Sequence, residues 1–129
     1  MITMIEETNE MTTTDYPTRI EATAIALHGA AKIVDERREL ASLHASAVKM
    51  EIINAKNEAG KPAYSNETAR ECAIAEALAG DEAYRQLTEE VDQAERLKAE
   101  LAAKLERLRG EFRVYLIELE ADRLGRRAA

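Results

Sequence analysis

The chain has 129 residues, of which 46% are hydrophobic and 33% are charged, and its net charge is −7. This length suits one ordinary domain, and the acidic balance argues against a generic basic face for nucleic-acid phosphates. One Phe, four Tyr and no Trp leave few side chains with a large area to bury. We therefore expect a thin core of closely packed helices.

The sequence favours a cytoplasmic protein without a membrane segment. The single cysteine, Cys72, excludes an intramolecular disulfide and is typical of a reducing compartment. No apolar run approaches the ~20 residues that span a bilayer. The first 17 residues carry acidic residues such as Glu6 and Glu7, whereas a signal peptide has a basic start.

Residues 1–17 are polar and rich in Thr, and they show no sustained period, so we predict a disordered acidic arm. The run Thr18-Arg19-Ile20-Glu21 then fits a capping box, in which a hydroxyl and a carboxylate accept hydrogen bonds from backbone N–H groups. Tyr16-Pro17 would keep the preceding chain extended. The first helix is therefore predicted to begin at Thr18.

A helical pattern continues from there to about residue 57. The apolar residues at seven-residue spacing are Ile20, Leu27, Val34, Ala41, Val48 and Ala55. The flanking residues four positions on are Ala24, Ala31, Ala45 and Ile52, and the stripe is widened by Ile33, Leu40, Ala47 and Met50. Gly29 is the weak point of this helix, and we expect it to allow another helix to approach closely beside Ala30 and Ala31, with a kink of the helix as the alternative.

Turn and capping residues separate the remaining helices. Gly60 can take the left-handed conformation, and Pro62 prevents the helix from continuing. Ser65 or Asn66 is then predicted to cap a second helix over about residues 66–79. Gly80 would end it, with a following aspartate as the next cap.

The third helix, predicted for residues 82–124, has the clearest repeat. One heptad position holds Leu87, Ala94, Leu101, Leu108 and Tyr115, and the other holds Tyr84, Val91, Leu105, Phe112 and Leu119. Lys98 is the only strong violation, so the pattern indicates a coiled coil. The predicted fold is all-α: a long antiparallel helical hairpin with a short intervening helix near the turn. Residues 125–129 would form a frayed basic tail.

Residues for chemistry are few. His28 and His44 lie far apart in sequence, and neither belongs to a metal-binding spacing such as Glu-x-x-His. Cys72 lies among alanines, where a small buried thiol is expected. We predict no catalytic residue, no metal and no cofactor, and therefore a protein that is not an enzyme and has no small-molecule substrate.

Two surfaces remain as candidates for binding. The first surface lies at the turn between the first and second helices, residues 56–70, and is here called the loop end. It combines cationic, amide and aromatic side chains that could hold a phosphate backbone and stack a base. These residues are Lys56, Lys61, Tyr64, Asn66 and Arg70. In the alternative, which we favour, the lysine is solvated, Tyr64 packs under the turn and Asn66 only caps a helix.

The second surface is an apolar group near the end of the third helix, here called the distal cluster. It consists of Val114, Tyr115, Leu116, Ile117 and Leu119. Too many faces of the helix are apolar there for one seam, so either a second subunit or the first part of the first helix should cover them. A homo-oligomer is the expected state.

The sequence from Gly60-Lys61-Pro62-Ala63-Tyr64 through Gly80-Asp81-Glu82-Ala83-Tyr84 and the following heptads resembles small helical proteins encoded in prophages and other mobile elements. The resemblance covers about residues 54–120. Some phage recombination accessories are short helical oligomers, so it implies an accessory role near DNA transactions and transfers no catalytic residue.

Together these features predict a self-associating helical hairpin that acts as an adaptor or accessory factor for an unknown protein partner. The alternative is a nucleic-acid-associated accessory protein, a helper in single-strand binding or recombination, that uses the basic loop end. Nucleic acid is thus a possible partner but not the favoured one.

Overall fold

A computed structural model describes Thr13 and residues 15–128 of the chain. The described residues form three helices: α1 (Asp15–Asn54), α2 (Glu67–Ala79) and α3 (Glu82–Ala128). Across these described residues the backbone forms no strand, apart from one isolated antiparallel bridge between Lys56 and Pro62. The predicted all-α class is confirmed.

The first helix begins earlier than its capping pattern suggests. It starts at Asp15 rather than Thr18, and it ends at Asn54 rather than near residue 57. Pro17 lies in the first turn, where its missing N–H has no partner to lose and its fixed φ suits the helix. The extended conformation expected for Tyr16-Pro17 is therefore wrong. Of the predicted arm, residues 1–12 and 14 lie outside the described residues.

The last helix extends further than predicted, to Ala128 rather than Leu124. Arg126 and Arg127 lie in its last turn, where positive charge interacts favourably with the helix dipole. The expected fraying of residues 125–128 is thus replaced by helix, and Ala129 lies outside the described residues.

The chain divides into two compact units, and α1 and α3 each contribute to both. The terminal unit comprises the described residues up to Ala30 together with those from Leu97 onward. The loop unit comprises Ala31–Arg96 and includes all of α2.

In the terminal unit, α1 and α3 pack antiparallel through an aromatic group and an aliphatic row. The ring of Tyr16 stacks on Phe112 with centroids 5.3 Å apart and lies 5.5 Å from the ring of Tyr115. Leu105 and Leu108, one turn and more before these aromatics, are each only 5% exposed. In this unit the predicted heptad residues Leu105, Leu108 and Phe112 of α3 therefore face α1.

The residues of α1 that close this seam differ in part from those expected. Thr23 and Ala30 are buried, whereas Ala24 and Ala31 are only half-buried. In this unit, α1 therefore buries the residues three positions after Ile20 and Leu27, whereas the sequence pattern pointed to the residues four positions after them. A Cβ at Gly29 would meet no atom within 4 Å, so the close helix approach expected there is wrong.

The loop unit has an even thinner core. Val34 is fully buried at 0% exposure, and Ala41 and Val48 are its other buried apolar residues, whereas α2 buries none of its side chains fully. The predicted stripe of α1 is therefore confirmed at these three positions. Small residues in the seam let two helices approach closely but leave little apolar area to stabilise the unit.

Two ion pairs join α1 to α3 in the loop unit, and the contact of His44, further along α1, with Asp81, just before α3, shows that the helices run antiparallel there also. Arg37 lies 3.4 Å from Glu90, and Arg38 lies 2.5 Å from Glu95. All four side chains are partly exposed, so each pair contributes about 0–1 kcal/mol.

The connection after α1 is a hydrogen-bonded turn. The backbone N–H of Gly60 donates to the Asn57 carbonyl at 2.9 Å, and Gly60 has φ of 76°. The Asn57 side-chain oxygen accepts from the N–H groups of Ala59 and Lys61 at 3.0 and 3.1 Å. The left-handed Gly60 predicted for this turn is confirmed.

Side-chain caps begin the other two helices. The Asn66 amide oxygen accepts from the Ala69 N–H at 2.7 Å at the start of α2. Asp81 Oδ1 accepts from the Tyr84 N–H at 2.8 Å at the start of α3. Both predicted caps are confirmed, with Asn66 rather than Ser65 at the first.

Candidate interaction surfaces

Four large apolar side chains of α1 form a stripe on the surface of the loop unit. They are Ile33, Leu40, Leu43 and Met50, and their exposed fractions are 45%, 45%, 60% and 53%. Their spacings of seven, three and seven residues place them on one face of the helix. We call this face the outer stripe of α1. It differs from the face that carries the buried Val34, Ala41 and Val48.

The outer stripe corrects one expectation from sequence. Ile33, Leu40 and Met50, together with Ala47, were expected to widen the buried stripe of the first helix. All four are exposed, because α3 covers only the neighbouring face of α1. The apolar pattern of α1 thus contains two faces, of which only one is covered by the described residues.

The distal cluster is divided by its packing in the terminal unit. Tyr115 and Leu119 are half-buried, and the Tyr115 hydroxyl lies 3.3 Å from the Thr13 hydroxyl. Val114 and Ile117 remain 53% and 63% exposed. The seam therefore takes up part of the predicted interface, and the first helix leaves the rest uncovered.

Val114 and Ile117 belong to a longer row on the outside of α3. Leu124, which is also exposed, follows Ile117 by seven residues and lies on the same face. Leu116 is exposed as well, but it lies on the flank of the seam, next to Phe112 and Leu119 on the helix surface. Val114, Leu116, Ile117 and Leu124 together are called the outer face of α3.

The loop end keeps its two lysines exposed, whereas its amide is used in a helix cap. Lys56 and Lys61 are exposed, whereas Tyr64 and Arg70 are half-buried. The Asn66 oxygen is occupied by the cap of α2. Asn66 therefore acts as a helix cap, as in the alternative favoured from sequence. Lys56 and Lys61 are the exposed cationic groups that a phosphate could reach.

Tyr64 lines an open groove of about 590 Å³ in the loop unit. Ile52 of α1 and Ala69, Cys72 and Ala73 of α2 form much of its wall. Cys72 is exposed, so the buried thiol expected from its alanine neighbours is wrong. The reason is that the half-buried residues of α2, such as Ala73, Ile74 and Ala77, lie on one face of the helix, and Cys72 lies outside that face.

His44 forms a polar contact that the sequence did not indicate. Its Nε2 lies 3.0 Å from Asp81 Oδ2, and its ring stacks on Tyr84 with centroids 6.3 Å apart. The hydrogen bond from His44, together with that from the Tyr84 N–H, holds the pKa of Asp81 below its usual range. The group ties α1 to the start of α3 within the loop unit.

The described residues offer no arrangement for metal chemistry. Among them, no three His, Cys, Asp or Glu side chains come together in a way that could hold a metal ion. In the same part of the chain, no helix is both long and apolar enough to cross a membrane.

We compared the chain with protein-family models, with curated proteins and with solved structures, and none of them matches it. The function must therefore be argued from the surfaces described above.

Proposed function

We propose that this protein is a non-catalytic interaction protein that associates with itself and serves as an adaptor or accessory factor. The observation that carries the proposal is the outer face of α3. Its side chains Val114, Leu116 and Ile117 are 53%, 41% and 63% exposed. They were part of the distal cluster for which the sequence suggested an oligomer interface.

The energetic argument concerns the apolar area left in water. Fully burying one such side chain stabilises an assembly by roughly 1.5–3 kcal/mol, and about half of that remains to be gained where half of the side chain is still exposed. Exposed apolar side chains that lie close together usually belong to a binding surface, whereas single exposed apolar side chains are common anywhere on a protein. A second copy that covers Val114 and Ile117, which lie on the same side of the helix, would gain about 1.5–3 kcal/mol before the entropy cost of association.

The resemblance of residues 54–120 to small helical proteins of prophages and mobile elements supports an accessory role near DNA transactions. The single cysteine supports a reducing compartment, and hence the cytoplasm. In this proposal the protein partner binds surfaces that self-association leaves free.

The test replaces Leu116→Glu and Ile117→Lys together and measures mass by light scattering and helicity by circular dichroism. We expect the native protein to be an oligomer and the variant to have a lower mass with most of its helical signal retained. A matched control, Gln86→Lys with Gln93→Glu, adds the same charges at exposed polar positions of α3 and should keep the native mass. A native protein that is monomeric at high micromolar concentration would contradict the proposal, as would equal dissociation of the control.

A further inference from the structure

We infer that the outer stripe of α1 binds the outer stripe of a second copy of this chain, with the two helices antiparallel. The inference goes beyond the proposed function, which concerns the outer face of α3. The two surfaces share no residue and lie on different helices.

The stripe has the symmetry that such pairing needs. Ile33 and Met50 lie equally far from the midpoint between residues 41 and 42, and so do Leu40 and Leu43. When a second copy is turned about a twofold axis through that midpoint, Ile33 faces Met50 and Leu40 faces Leu43. An interface between identical copies requires a patch that is self-complementary in this way.

The spacing also suits the packing of two helices. The stripe alternates between two positions of a heptad, with residues 33, 40 and 47 at one and residues 36, 43 and 50 at the other. Such a row lets each side chain insert between those of the facing helix. Every large apolar residue of the row then meets another large apolar residue.

The one charge in the row decides the orientation. Glu36 lies in the row and is exposed, and within the described residues it has no ion pair. In the antiparallel register Glu36 faces Ala47, the smallest side chain of the row, which leaves room for the carboxylate to reach water. In a parallel, in-register pair, Glu36 would face Glu36 of the second copy within the interface, and Lys32 would lie beside Arg37 of that copy.

Like charges placed together at an interface are unfavourable, and more so where water is excluded. The antiparallel pair is therefore favoured, because it places Glu36, the acidic residue of the row, opposite Ala47, its smallest residue. The twofold axis repeats this pairing, so Glu36 of each copy faces Ala47 of the other.

Disulfide cross-linking tests both the occupant and the orientation. In a Cys72→Ser background, one chain carries Ile33→Cys and a second chain, distinguishable by mass, carries Met50→Cys, so that Glu36 and Ala47 stay in place. Mixing the two under mild oxidation should give a dimer that joins residue 33 to residue 50. Either chain alone should give far less dimer, and so should Met50→Cys mixed with a control chain carrying Gln93→Cys on α3.

Two further variants make the result decisive. Adding Leu40→Lys and Leu43→Lys to both chains should abolish the cross-link, while circular dichroism shows that the helices remain. Adding Leu116→Glu and Ile117→Lys should preserve it, because the pairing uses α1 alone. Three results would each overturn the inference. They are cross-links between identical positions of the two chains, no cross-link in a folded protein, and loss of the cross-link when Leu116→Glu and Ile117→Lys are added. None of these outcomes depends on whether the outer face of α3 binds a second copy.

Discussion

His44 and Asp81 are separated by 37 positions in the chain, yet their side chains meet at 3.0 Å between Nε2 and Oδ2. Both side chains are half-buried, and Asp81 also accepts the Tyr84 N–H that begins α3. One carboxylate therefore serves as a helix cap and as the partner of a histidine on another helix.

The pKa of Asp81 should rise towards its ordinary value of 3.8 when His44 is replaced by leucine. The hydrogen bond from His44 is the largest cause of the lowered pKa, and the bond from the Tyr84 N–H remains in the variant. The carboxyl carbon chemical shift of Asp81, followed by NMR through the acidic range, measures this change. His28→Leu, in the terminal unit, should leave the Asp81 titration where it is.

Stability should depend on pH through the same carboxylate. Because the pKa of Asp81 is lower in the folded chain, its charged form stabilises the fold above the unfolded pKa, and that contribution is lost as pH falls through the folded pKa. Asp81→Asn should therefore reduce the free energy of unfolding at neutral pH and show a smaller further loss on acidification below 3.8. Urea unfolding at neutral and acidic pH tests this, with Asp92→Asn as the control. Equal acid sensitivity in wild type and Asp81→Asn would contradict the assignment.

Glycines in the helices should be sites of easy stabilisation. A Cβ at Gly29 or Gly110 would meet no atom within 4 Å, so alanine at either position should stabilise the protein by about 0.5–1 kcal/mol. Gly60 provides the contrast, because its φ of 76° is strained for any residue with a Cβ. Gly60→Ala should destabilise by about 1–2 kcal/mol. Thermal unfolding measures all three, and a gain at Gly60 would show that the turn is not held in this conformation.

Val34 should be the most sensitive position of α1. It is fully buried, so Val34→Ala removes buried methyl groups and leaves a cavity, at a cost of about 1.5–3 kcal/mol. Ile25→Ala, at an exposed position of the same helix, should change stability by about 0.5 kcal/mol or less. The comparison is made by urea unfolding at matched protein concentration. Similar losses at both positions would mean that the seam does not pass through Val34.

Insertions should be tolerated in the turn after α1 but not in the seam between α1 and α3. Two glycines placed between Gly60 and Lys61 lengthen a surface turn, and loop extension costs little entropy, so the melting temperature should change only slightly. The same insertion after Leu101 would rotate Leu105 and Leu108 away from α1, and both are buried in the terminal unit. We expect a large loss of stability there, measured by circular dichroism melting. Equal tolerance at the two sites would show that α3 has no fixed register.

The elements with strong local signals were predictable from sequence. The heptads of α3 identified Leu105 and Leu108 as core, and Asn66 and Asp81 were recognisable as caps because short polar side chains satisfy free N–H groups at helix starts. The start of α1 was not predictable from sequence, because Pro17 is compatible both with an extended chain and with a first helical turn.

The surfaces were less predictable, because a periodic pattern shows that a face is apolar without showing what covers it. Ile33 and Val34 are adjacent and similar in hydrophobicity, yet one is exposed and the other fully buried. Which of them meets α3 depends on how the helices are rotated against each other. The contact of His44 with Asp81 was equally hidden, since it joins residues distant in sequence.

The exposure of Cys72 has a practical side. An accessible thiol can be oxidised by dissolved oxygen and can join two copies by a disulfide that resembles non-covalent assembly in a mass measurement. Samples of the unaltered chain should therefore be kept reduced. The same thiol also accepts a maleimide fluorophore at a defined place on α2, so that exchange of subunits between differently labelled samples can be followed by energy transfer without changing any residue of the outer stripe of α1.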